Sequence, residues 1–219
     1  MLENYVKTMK LHNFKKFEDS QFQFRNGLNV LIGDNDAGKT TILKALDIVL
    51  RQSGVDDRMN KNEYGVFMNA DAITRFIESE QDIKDLPDIS IEIFLNLDDN
   101  ELANNYFDGQ NNSTEKEDKG IIFRYEFDEQ FEEDYLQFKN QLNAQEKSFN
   151  FIPFDFYHAS WKTFLGRSYS FRRNPLSSIY IDTDKSGGDA FSNYSRKLYY
   201  SLDTASQNNL SINLKDVIW

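Results

Sequence analysis

Eight consecutive residues, Gly33-Asp34-Asn35-Asp36-Ala37-Gly38-Lys39-Thr40, fit the pattern G-x-x-x-x-G-K-[ST] with nothing missing. The chemistry that needs this spacing is the holding of a polyphosphate. Gly33 and Gly38 permit backbone angles and a close approach that a side chain would block, so that successive N–H groups turn inward around phosphate oxygens at the start of a helix. A lysine at position 39 reaches the β- and γ-phosphates, and a hydroxyl at Thr40 takes one position on an octahedral Mg²⁺. ATP and Mg²⁺ are therefore the expected ligands, with Gly33, Asn35, Asp36, Ala37, Gly38, Lys39, Thr40 and Thr41 forming the cradle and Thr40 the metal position.

Such a loop works only between a strand and a helix. The apolar run at 28–32 is of strand type and predicts a buried strand entering the loop, and residues 41–50 carry apolar side chains at helical spacing. Two strands precede the loop: an alternating stretch over 5–11, interrupted by turn and basic residues at 12–17, and a second around Phe22 and Phe24. Asn26-Gly27 is a two-residue turn signal leading into the strand at 28–32. Ser53-Gly54 gives a C-cap for the loop helix, and 70–80 fits a short helix.

Downstream, Ile89, Ile91, Ile93, Leu95 and Leu97 alternate with Ser90, Glu92, Phe94 and Asn96, the clearest half-buried strand in the chain, and 121–127 reads as its partner. Between them, 109–114 reads as a flexible tip. The pattern over 128–150 leaves strand and helix open, and Pro153 limits 151–158 to an edge strand or a turn. The sequence thus divides into a nucleotide-binding core at 1–88, an antiparallel meander at 89–157, and a basic and aromatic loop, short strand and helix at 158–219.

Composition narrows the setting. The 219 residues suit one domain or one domain with an insertion, and the absence of cysteine excludes disulfides and thiolate chemistry, as fits a reducing cytoplasm. No apolar run approaches membrane-spanning length, so a cytoplasmic protein is expected, with no membrane partner. A net charge of −11 argues against a chain coated in basic surface, while leaving room for a local basic path such as Arg167, Arg172 and Arg173 among aromatics.

The segment Asn13-Phe14-Lys15-Lys16-Phe17, a strand, and then residues 26–46 resemble the N-terminus of the ABC-type ATPase heads of the SMC/RecF group. Within it, Asp36 where most members carry Gly, and the layout that follows, look most like the OLD (overcoming lysogenization defect) branch of ATP-dependent nucleases. The resemblance implies an α/β fold: the N-terminal lobe of a P-loop NTPase head with a flanking antiparallel β-sheet. It implies an AAA family ATPase that dimerises, or forms a higher oligomer, around ATP-Mg²⁺ and couples hydrolysis to DNA processing or phage defence. It also places Lys15 near the nucleotide and Asn35 at the γ-phosphate edge or a partner subunit, and sets Glu63 in about the place of an acidic-aromatic pair of the family.

Three further sites resemble catalytic motifs and depart from them. The strand-like 178–182 ends in Asp182 but continues with Thr183 rather than Glu; Ser186-Gly187-Gly188-Asp189 stands in the wrong order for a signature motif; Asp182 and Asp184 lack an accompanying His or Glu cluster. No catalytic residue is therefore assigned. In the resembling family the signature helix and second nucleotide motif follow C-terminal to residues like these, so the chain is expected to be a fragment with little or no turnover alone. Two other functions stay open: a stand-alone phosphotransferase with Arg167, Arg172 and Arg173 as a clamping lid, and a non-catalytic module switched by nucleotide.

Overall fold

The computed structural model describes residues 4–53, 64–97, 105–176 and 206. The chain divides into two compact units, Met1–Ser178 and Ile179–Trp219. The strand-like 178–182, the Ser186-Gly187-Gly188-Asp189 turn, the pair Asp182 and Asp184, and Glu63 lie outside the described residues.

The first unit is built on an antiparallel sheet in the order β2-β1-β3-β5, with β4 and β6 both paired to β5. Strand β1 spans Tyr5–Phe14, β2 Phe17–Gln23, β3 Ile89–Asn96, β4 Asp108–Gly109, β5 Asp118–Phe127 and β6 Tyr157–Thr163. Alternation assigns the faces. Met9, Leu11, Ile89, Ile91, Ile93, Ile121, Phe123 and Tyr125 are buried and form one core with helix α1 (Lys39–Arg51), whose Ile42, Ala45, Ile48 and Val49 are themselves buried. Helix α2 (Ala70–Glu78) adds Phe76 to this core, and α3 (Glu132–Ala144) adds Tyr135, stacked on Phe149 with ring centroids 5.3 Å apart.

The pairing of β3 with β5 is as the alternation predicts. Several local expectations are corrected. Residues 12–14 do not interrupt the first strand: β1 runs through Phe14, and Phe14 pairs with Phe17, so the turn is reduced to Lys15-Lys16. Helix α1 is capped not at Ser53-Gly54 but by Gln52 at φ 53°, held there because its carboxamide donates to the Tyr169 carbonyl and accepts from the Phe171 N–H. The 109–114 stretch is packed on the sheet: the Ser113 N–H and hydroxyl donate to the two carboxylate oxygens of buried Glu92, at 2.6 and 2.7 Å. The ambiguous 128–150 region contains α3, and the Pro153 segment is a short 3₁₀ turn leading into β6.

The largest correction concerns 28–32. These residues form no strand, and Leu28, Val30 and Ile32 are 89%, 66% and 90% exposed, while Leu31 is half-buried against the core. An apolar run of this kind needs neighbouring strands to satisfy its backbone and cover its side chains. No strand of the described sheet pairs with them.

Candidate nucleotide-binding site

The glycine loop enters α1 directly. Gly38 is the N-cap at φ 95°, ψ 12°, with no side chain capping the helix and no acidic residue in its first turn. The first intrahelical bond runs from the Ile42 N–H to the Gly38 carbonyl at 3.0 Å, so the preceding N–H groups of the turn point out of the helix end without partners in the helix. A helix end in this state is an anion site. Gly38 is required for steric reasons as well: a Cβ there would stand 2.5 Å from Phe17 Cζ and 3.2 Å from Lys16 Cδ.

A second element faces the loop. The Lys15-Lys16 turn is bolted down by the Lys15 N–H donating to the Phe67 carbonyl at 2.6 Å, the Asn69 N–H donating to the Asn13 carbonyl at 2.9 Å, and the Asn69 carboxamide donating to the Lys15 carbonyl at 2.7 Å. The same Asn69 side chain caps α2, its oxygen accepting from the N–H groups of Asp71 and Ala72 at 2.9 and 3.1 Å. Phe14 stacks on Phe67 with centroids 5.4 Å apart, closing the joint.

Loop, helix start and turn border an open cavity of about 750 Å³ lined by Lys15, Lys16, Asn35, Asp36, Ala37, Gly38, Lys39, Thr40, Thr41, Met68 and Ala70. Of the nine residues singled out from sequence, eight line it. Gly33 does not, but its carbonyl and that of Asp34 each accept from the Lys39 ammonium at 2.7 Å. Lys15 Nζ lies 5.1 Å over the Phe67 ring, and Lys16 Nζ donates to the Asp36 carbonyl. Sequence reasoning missed Lys16, Met68, Ala70 and Asn69; for Asn69 the signal was present, an Asn immediately before a helical pattern.

Other candidates lie elsewhere. His12 Nδ1 donates to Asp19 Oδ1 at 2.7 Å, and the residue borders a second polar groove of about 740 Å³ on the sheet face turned away from α1, with Lys10, Asp88, Glu92 and Arg124. The segment carrying Arg167, Arg172 and Arg173 serves the other end of α1: Trp161, Tyr169 and Asn174 side chains donate to the carbonyls of Ile48 and Leu50. A helix of 13 residues is about 20 Å long, so these arginines, all exposed, stand far from the loop and make no lid over it. No group of three or more His, Asp or Glu side chains among the described residues forms a metal site, and no helix among them is long and apolar enough to cross a membrane.

A mixed α/β unit in which a glycine loop opens a helix packed on an antiparallel sheet has the architecture of a P-loop ATPase head. Residues 5–217 match the AAA ATPase domain model, and the chain belongs to that family. The DNA replication and repair protein RecF of Pediococcus pentosaceus is 45% identical over 42 residues, covering 19% of this chain and 11% of RecF. The DNA double-strand break repair Rad50 ATPase of Methanopyrus kandleri is 40% identical over 45 residues, covering 20% of this chain and 5% of Rad50. RecF of Francisella tularensis subsp. mediasiatica is 26% identical over 102 residues, covering 42% of this chain and 29% of that protein. The match therefore spans less than a third of each relative's length.

Proposed function

We propose that the chain is the ATP-binding portion of an ATPase of the SMC/RecF kind acting in DNA repair or maintenance. The observation that carries this reading is the convergence of an uncapped helix N-terminus, the glycine loop and three lysines on one cavity. In it, the unpartnered N–H groups at the start of α1 face the phosphates, and Lys39 exchanges the carbonyls of Gly33 and Asp34 for phosphate oxygens. The Thr40 side chain, exposed at the second position of α1, would hold Mg²⁺, whose charge offsets that of the β- and γ-phosphates. Asn35 and Lys15, which the resemblance assigns to the nucleotide, border the same cavity.

The finer reading follows from the resemblance: a head that dimerises, or assembles further, around ATP-Mg²⁺, with Asp36 in the loop favouring the OLD branch and a role in DNA processing or phage defence. Its turnover depends on groups supplied by a partner, so the chain alone binds nucleotide and hydrolyses little.

Calorimetric titration of the purified chain with Mg-ATP tests the site. Lys39→Ala should weaken binding by at least about tenfold, the scale of one lost charge-assisted contact. Undiminished binding or hydrolysis by Lys39→Ala refutes the reading. Sedimentation with and without Mg-ATP tests assembly, and an unchanged oligomeric state removes the dimerising part.

A further inference from the structure

We infer that Lys16 is a positioning residue of the phosphate loop: from the β1–β2 turn it holds the Asp36–Ala37 peptide, and with it the turn that keeps the loop in its phosphate-binding shape. The inference rests on the nucleotide reading above and adds to it a residue outside the glycine motif. Lys15 and Lys16 are adjacent and both exposed, yet their ammonium groups do different things. Lys15 Nζ lies over the Phe67 ring, whereas Lys16 Nζ donates to the Asp36 carbonyl inside the loop.

Three features make that bond consequential. First, its anchor is fixed, because the turn is tied to 67–69 by the bonds of Lys15 and Asn69 already described. Second, Asp36 has φ 66°, a left-handed conformation that a residue with a Cβ adopts at a cost of about 1–2 kcal/mol and that surrounding contacts must hold. Third, all peptides of the described chain are trans, so the N–H of Ala37 points opposite to the Asp36 carbonyl. That N–H closes a turn on the Asp34 carbonyl at 3.1 Å. The ammonium on one side of the peptide thus sets the donor on the other.

The two cations divide the loop between them. Lys39, from the helix, holds the carbonyls of Gly33 and Asp34 in its first limb; Lys16, from the hairpin, holds that of Asp36 in its second. The stem of Lys16 reaches its position across Gly38, where a Cβ would come within 3.2 Å of Lys16 Cδ. A ligand that reads this arrangement does so through its phosphates, so inorganic tripolyphosphate should report it as well as ATP.

The test titrates the full chain and its Lys16→Met, Lys16→Arg and Lys39→Met variants with Mg-ATP and with tripolyphosphate, and follows hydrogen exchange of the amides of 36–38 without ligand. Lys16→Met should weaken both ligands about tenfold, and Lys16→Arg, which keeps a donor, should recover most of that loss. The amides of 36–38 should exchange faster in Lys16→Met and normally in Lys16→Arg, with the thermal midpoint of the ligand-free protein unchanged because Lys16 is exposed. Unaltered binding in Lys16→Met, unaltered exchange, or an arginine variant as weak as the methionine one overturns the inference, provided Lys39→Met has lost binding. If Lys39→Met also binds normally, it is the nucleotide reading itself that falls.

Discussion

Replacing Gly38 by alanine separates two reasons for a glycine at the mouth of α1. The backbone there has φ 95°, and an L-residue in the left-handed region costs about 1–2 kcal/mol. The added Cβ would also meet Phe17 Cζ at 2.5 Å, Phe17 Cε2 at 3.0 Å and Lys16 Cδ at 3.2 Å. Relief of such overlaps by ring and backbone shifts costs about 1–3 kcal/mol, while the stiffer unfolded chain returns about 0.4–1 kcal/mol. The net loss should be about 2–4 kcal/mol. Gly27→Ala supplies the comparison, since Gly27 has φ 90° and no atom within 4 Å of the Cβ position. It carries the backbone term and the unfolded-state term alone, so the difference between the two variants, about 1–3 kcal/mol, isolates the contact with Phe17 and Lys16. Urea unfolding with matching m-values measures both. A Phe17→Ala background should shrink the Gly38→Ala penalty by more than about 1 kcal/mol. Equal losses for Gly38→Ala and Gly27→Ala, within about 0.5 kcal/mol, would refute the steric account.

Asn69→Ala removes the cap of α2 and the bond to the Lys15 carbonyl together, and should cost about 1–3 kcal/mol in urea unfolding; a loss below about 0.5 kcal/mol contradicts the joint described here. Alkaline pH offers an independent check on the core. Burial pushes the Tyr64 phenol from 10.0 up to about 12, and it pushes Tyr135, Tyr157 and Tyr169 upward too. The folded phenols keep their protons where the unfolded ones have lost them, so this stability is complete below about pH 10 and is lost as pH rises toward 12. The rise at Tyr64 is worth at most about 2–3 kcal/mol, and Tyr64→Phe should flatten the decline measured between pH 9 and 11.5. A stability that is level over that range contradicts the burial of these hydroxyls.

Strands β3 and β5 were legible because each reports its own burial by alternation: Ile89, Ile91, Ile93 and Leu95 on one, Ile121, Phe123 and Tyr125 on the other. Helix α2 was legible for the same local reason. Helix α3 was not, because only Tyr135 along it is fully buried and the rest of its surface is polar, leaving a weak period. Residues 28–32 show the opposite failure. Their apolar, β-branched composition is strand character, but a strand is a property of a pair, and Leu28, Val30 and Ile32 meet no strand partner among the described residues.

The candidate site divides along the same line. Its glycine loop is eight consecutive residues whose chemistry is set by their own backbone, so it stands in the sequence complete. Lys16, Met68 and Ala70 join it only because β1 turns at Lys15-Lys16 and Asn69 ties that turn to the start of α2. None of these contacts has a periodic signature, and the residues involved are separated along the chain from the loop they face. The resemblance placed Lys15 beside the nucleotide, and Lys15 does line the cavity, but the group that touches the loop is its neighbour. The two-residue turn explains why one residue matters: with Phe14 paired to Phe17 and stacked on Phe67, only positions 15 and 16 are free to project. The Lys15 ammonium lies over the Phe67 ring, which leaves Lys16 as the cationic side chain of the turn that reaches the loop, beside the Phe17 ring against Gly38.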